Sequence, residues 1–316
     1  MTYEALAAVI TCAAFAMALS VASLILRATA PAVARRVDRY AAASRASVLF
    51  RLRILPAGAG IVFALGVALP IFLWFEPRDT QESITVTLAV TAAVGLAVWA
   101  GGVRRAIVAW WATRTVIRTW RRRGRPIDSF DAPMPVFAID EAFPTVAVVG
   151  VARPALFISE RVLRECSAEE VRAMVAHECA HVARRDNFKR FLIRGCPDLW
   201  RDGSVERAWS EASEEAADAA AAQDRPDRGL DLAQALIRVA RLAPQPQAPA
   251  LASAFYLGGS IESRIRRLVE PDRLPEPSHP FGCVTIGGLA CVFAAVLLAV
   301  APALHQLMEA AVHFLP

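Results

Sequence analysis

The chain has 316 residues, of which 56% are hydrophobic and only three are tyrosine, and its net charge is +5. That composition is too apolar for an ordinary soluble enzyme of this size, so membrane-spanning segments are expected. The six cysteines include no C-x2-C pair, which argues against a zinc-finger class, and no structural disulfide is expected.

Taken in chain order, four stretches without Asp, Glu, Lys or Arg are long enough to cross a hydrocarbon layer. They run from Ala5 to Leu26, Ile54 to Phe75, Ser83 to Val103 and, most clearly, Val284 to Leu304. The first lacks the basic start and the cleavage site of a secretory signal. The loop from Arg27 to Arg53 carries seven arginines against Asp38, whereas Glu76 to Ser83 carries three acids against one arginine. The positive-inside rule then places that first loop in the cytoplasm. Arg104, Arg105, Arg114, Arg118 and Arg121 to Arg123 follow the third span before any acid, so residues 104–279 are also expected inside and both termini outside. This is the pattern of a multi-pass protein of the inner (plasma) membrane. The basic blocks suit topogenic and anionic-lipid roles, and no direct nucleic-acid contact is expected. Trp110, Trp111 and Trp120 suit the interface.

Three regions follow: residues 1–103 with three spans, a cytoplasmic domain over 104–279, and 280–316 with a fourth span and a short tail. In the domain, Val136 to Ile139, Thr145 to Val151 and Ala155 to Ile158 have the length and β-branched content of strands. Such a sheet offers an edge on which an extended peptide can lie, or it simply covers the helix that follows.

That helix is the most informative stretch, SAEEVRAMVAHECAHVARRD from Ser167 to Asp186. Ser167 and Glu170 form a capping box that starts it. His177, Glu178 and His181 stand in the order HExxH, which puts two imidazoles one turn apart on one face, able to grip one zinc ion. Glu178 adjoins the first ligand without belonging to the ligand set and is placed to act as a general base. Cys179 is about 200° around the helix from His177 and should point away as a small core residue.

A second helix is expected from Ser204 to Gln223. Glu211, Glu214, Glu215 and Asp218 follow i, i+3, i+4, i+7 and read as one acidic face. Two histidines need a third protein ligand, and Glu214 is chosen, with Glu211 and Glu215 as alternatives. Asp218, one turn on, would hydrogen-bond the far nitrogen of a ligand histidine from outside the ligand set.

These residues resemble membrane-embedded metallopeptidases of the BlaR/MecR antirepressor type. The resemblance rests on three spans before HECAHVARRDN, on E-x-x-A-D at Glu214 to Asp218, on IESRIRRL from Ile261 to Leu268 and on a further span after it. It implies an α-helical membrane protein with a cytoplasmic α+β, gluzincin-like zinc metallopeptidase domain and four transmembrane helices. It further implies one Zn2+ on His177, His181 and Glu214, with Glu178 catalytic, and cleavage of a cytoplasmic repressor of the winged-helix kind after an external signal. Unlike the sensing members, this chain is expected to lack a penicillin-binding domain after the fourth span, and a signal is then expected to enter through the spans or a membrane sensor partner. RGCPDLWRDGS replaces the apolar stretch usual between the two zinc motifs.

HtpX-type quality-control proteases and CAAX-processing proteases share the zinc logic, but their histidine-proline element is absent: Ser253 to Leu257 reads SAFYL. A non-catalytic zinc-containing receptor or scaffold is the alternative of another class, disfavoured because a structural site needs no Glu178. No second oxyanion donor is assigned. Tyr256 and His279 are the candidates, and each reads more simply as structural or juxtamembrane.

Overall fold

The hydroxyl of Thr2 accepts the Ala5 N–H and opens the first helix, α1, which runs without a break from Tyr3 to Val37. The structure, a computed structural model, describes residues 2–77, 84–128, 130–199, 203–223, 226–242 and 261–270. The expected fourth span, Tyr256, His279, Cys283 and Cys291 lie outside the described residues. Helix α2 (Ala42–Phe63) continues through a π turn, Ala64–Ala68, into α3 (Leu69–Phe75). The π turn lies just before Pro70, which has no N–H and whose ring crowds the carbonyl one turn back; a wider turn relieves both problems. Helix α4 spans Val86–Arg123.

Three helical runs, Tyr3–Val37, Ala42–Phe75 and Val86–Arg123, are long and apolar enough to cross a membrane. About 20 residues suffice for that. The surplus turns are the arginine-bearing ends. The stretch expected as a loop from Arg27 to Arg53 is therefore mostly helix, interrupted only between Val37 and Ala42. Its sequence explains this, because alanine and arginine are strong helix formers and outweigh Pro31. Helices α1 and α4 approach so closely that a side chain at Gly95 would collide with the Cys12 carbonyl.

Past its apolar half, α4 runs on and covers a small mixed sheet. The strands are β1 (Arg125–Pro126), β2 (Val136–Ile139), β3 (Val146–Val149) and β4 (Ala155–Ser159), in the order β1-β2-β4-β3. β2 and β4 are parallel, and the outer pairs are antiparallel. Trp120 differs from its expected interfacial place: its ring meets Phe157 edge-on at 5.2 Å and its indole N–H donates to Glu141. Helix α4 carries it past the bilayer-length segment onto the sheet.

The other sheet face packs on helices. Helix α5 (Glu160–Glu165) leads into α6 (Ala168–Ala183), α7 (Asp186–Gly195), α8 (Ser204–Ala222), α9 (Pro226–Leu242) and α10 (Ile261–Val269). Leu156 and Ile158 of β4 meet Val171, Met174 and Val175 of α6 and Leu232, Ala235 and Val239 of α9 in one buried core. Each such large side chain contributes about 1.5–3 kcal/mol on burial. A second cluster joins the ends of α1 and α2 to α7 and α8 through Val37, Ala46, Leu49, Ile193, Trp209 and Ala212. Gly102 lets the end of α7 lie directly on α4, since a side chain there would strike the Gly195 carbonyl. The long helices thus hold α7 and α8, and α8 in turn packs on α6.

Candidate metal centre

Helix α6 starts where its sequence dictates. The Ser167 hydroxyl accepts the Glu170 N–H, and the Glu170 carboxylate accepts the Ser167 N–H. Glu170 also pairs with Arg238 of α9, which ties the helix start to the core. Val171, Met174 and Val175 anchor the apolar stripe. His177 and Glu178 are buried and His181 is nearly so, which fixes their rotamers by packing. Cys179 packs against the core cluster, and burial pushes its thiol up to about 11.

The Nε2 atoms of His177 and His181 face each other at 3.2 Å. Glu214 reaches between them from α8, with Oε2 3.5 Å from His177 Nε2 and Oε1 3.6 Å from His181 Nε2. The outer nitrogens are engaged elsewhere. His177 Nδ1 stands 2.9 Å from Asp218 Oδ1, and His181 Nδ1 stands 2.9 Å from Asp186 Oδ2. A proton on each Nδ1, facing a carboxylate, leaves a lone pair on each Nε2. Two lone pairs and a carboxylate then converge on one point, and they repel unless a cation sits among them. These three ligand atoms all lie within 4.8 Å of one another and could hold a metal ion. Two imidazoles and one carboxylate are donors suited to zinc, and three protein ligands leave a position open.

The electrostatics show the same demand for a cation. Burial alone would lower the His181 pKa, but Asp186 and Glu214 outweigh it and raise the ring to about 9. His177 is raised in the same way, with Asp218 and Glu214 overcoming burial. Burial would raise Glu214, yet the two imidazoles hold it well below the usual carboxylate range. Asp218 is lowered against its burial by His177 and then Arg264.

Glu178 lies outside the group of three. Its Oε2 accepts the N–H of Val148 on β3 at 2.9 Å, so the edge strand holds the carboxylate. The Val148 carbonyl accepts from the Asn187 side chain at 3.0 Å, and Asn187 also donates to the Gly150 carbonyl at 3.2 Å. At Val148, then, the chain's own side chains occupy the strand edge.

The acidic stripe of α8 divides in two. Glu214 and Asp218 are buried toward α6, whereas Glu215 pairs with Arg45 of α2 and Glu211 is exposed. Successive residues on a helix are 100° apart, so a stripe four acids wide must serve two neighbours. Glu211 and Glu215 line a cavity of about 350 Å³ with Asp38, Arg45 and Arg267. None of the three metal-competent side chains borders that cavity.

No protein-family model and no curated protein matches this chain. The site is therefore read from its own chemistry. Two of its residues carry no signal of their role in the letters. Asp186 reaches His181 because Arg185 adopts a left-handed conformation, φ 54 and ψ 38, which starts α7 at once after α6. Asp186 is held down to about 2: burial opposes this, while His181, Arg184 and Lys189 overcome it. Arg264, on α10, donates to both oxygens of Asp218 at 2.9 and 2.6 Å. It arrives from 46 residues away, where no local spacing relates it to the site.

Proposed function

We propose that this chain is a membrane-embedded zinc metalloendopeptidase. The observation that carries the reading is the division of labour on α6 and α8. His177, His181 and Glu214 converge as ligands, while Glu178, next to the first of them, is kept out of that group by the Val148 N–H. A structural zinc site has no use for such a carboxylate.

Zinc held by these three residues would supply a Lewis acid that polarises the scissile carbonyl and makes water acidic enough to attack it. Glu178 takes the proton of the attacking water and returns it to the leaving amine as the peptide bond breaks. Asp218 and Asp186 keep the imidazoles in the tautomer that presents Nε2. Val148 and Asn187 set the position of the base relative to the edge strand.

Orientation follows from the arginine-rich ends of α1 and α4, which by the positive-inside rule lie in the cytoplasm. The substrate is then a cytoplasmic polypeptide, and by resemblance to the antirepressor family a transcriptional repressor. A cysteine at Ser44 should resist a membrane-impermeant reagent in intact cells, and labelling there would reverse the orientation. Comparing proteomes of cells carrying the parent chain and Glu178→Gln tests the substrate. Loss of cleavage confined to one DNA-binding protein supports the regulatory reading; broad accumulation of membrane proteins favours quality control.

A further inference from the structure

We propose that Arg264 is a positioning residue of the metal centre, fixing Glu214 through one of its oxygens while holding Asp218 against His177. The inference rests on the zinc reading above. Arg264 is 0% exposed and is the one buried residue of α10. A fully buried guanidinium is costly unless its hydrogen bonds are met and its charge is balanced. Here the fork meets two carboxylates. Nε and Nη2 take both oxygens of Asp218 at 2.9 and 2.6 Å, and Nη1 stands 3.2 Å from Glu214 Oε2.

The two carboxylates lie one turn apart on α8 and are 3% and 5% exposed. Without a cation between them the two carboxylates would repel each other across that turn, and nothing would hold them in register with the imidazoles. Arg264 offsets both charges with one group, and its planar fork dictates geometry that a lysine could not. Its pull on Oε2 leaves Oε1, which faces His181, as the freer ligand atom. Glutamate held in that way is biased against closing on the ion with both oxygens, so a position stays open for chemistry.

Helix α10 gives the arrangement its second meaning. Ile261, Ile265 and Leu268 are only partly buried, so Arg264 is the deepest anchor of this helix. Arg264 thus couples the docking of α10 to the shape of the metal centre.

The test measures zinc affinity of the full-length chain in detergent by competition with a chromogenic chelator, alongside thermal unfolding of the chelator-treated protein. Arg264→Met is expected to weaken zinc binding about 10- to 100-fold, the range for removing an outer partner of a ligand. Arg264→Lys, which keeps the charge but cannot bridge two carboxylates, should fall between that variant and the parent. A double variant, Asp218→Asn with Arg264→Met, removes the charge imbalance and keeps the test open if the single variant fails to fold. If Arg264 acts on Glu214 as well as Asp218, the double variant binds zinc more weakly than Asp218→Asn alone. Equal affinity of those two proteins would overturn the proposal, as would a loss of thermal stability with unchanged affinity. Failure of the parent itself to bind zinc would instead remove the metal reading on which the inference stands.

Discussion

Asp186 Oδ2 lies 2.9 Å from His181 Nδ1, although the two residues belong to different helices. The link is made by Arg185, whose left-handed backbone ends α6 and starts α7. Ser213 of α8 donates to the same Asp186 oxygen at 2.9 Å, so one carboxylate ties all three helices of the site together.

This relationship sets a pH dependence. The His181 ring is raised from 6.5 to about 9 when no metal is bound. Its contribution to the stability of the metal-free fold is therefore complete below pH 6.5 and is lost as pH rises through about 9. Zinc must displace that proton, so its apparent affinity should rise about tenfold per pH unit across this window. Calorimetric titration in buffers of different ionisation enthalpy checks it by counting the protons released. An affinity flat across the window would contradict the assignment of His181 as a ligand. Asp186 acts at the other extreme: lowered to about 2, it supplies stability present above pH 3.8 and lost as pH falls through about 2.

Substitution along α8 should separate its two acidic stripes. Glu214→Ala is expected to abolish tight zinc binding, because it removes one of three ligands. Glu211→Ala and Glu215→Ala should retain metal, since one side chain is exposed and the other pairs with Arg45 of α2. Metal analysis after gel filtration reads the outcome. Loss of zinc from Glu215→Ala with retention by Glu214→Ala would show that α8 presents the other stripe.

Asn187 pins the edge strand to the start of α7. Asn187→Ala leaves the carbonyls of Val148 and Gly150 without this donor, at a cost of about 1–2 kcal/mol in stability. Because Val148 also holds Glu178, the variant should lose kcat more than it raises KM. A change in stability with kcat intact would reduce Asn187 to a structural link.

What could be read in the letters was whatever depends on nearby residues. The capping box, the HExxH spacing and the pair Glu214 and Asp218 are helical patterns within a turn or two, and the helices form where those patterns lie. The strands from Val136 to Ser159 were legible for the same reason, as short β-branched runs between Pro and Gly. Long-range partners were not. Nothing in IESRIRRL distinguishes Arg264 from the arginines beside it until α10 is docked on α8. Arginine does not advertise a left-handed turn, so Asp186 could not be assigned to His181. Trp120 had the neighbours of an interfacial residue, and only the unbroken length of α4 places it on the sheet.

The most direct test of the central claim pairs two readings on one variant, Glu178→Gln. Zinc content is measured by metal analysis, and hydrolysis is measured on a quenched-fluorescence peptide or on the protein substrate found by proteomics. The expected result is zinc equal to the parent with hydrolysis lowered by roughly 10²- to 10⁴-fold, the scale of a lost general base. Loss of zinc together with activity would make Glu178 a ligand, and undiminished hydrolysis would remove it from the chemistry.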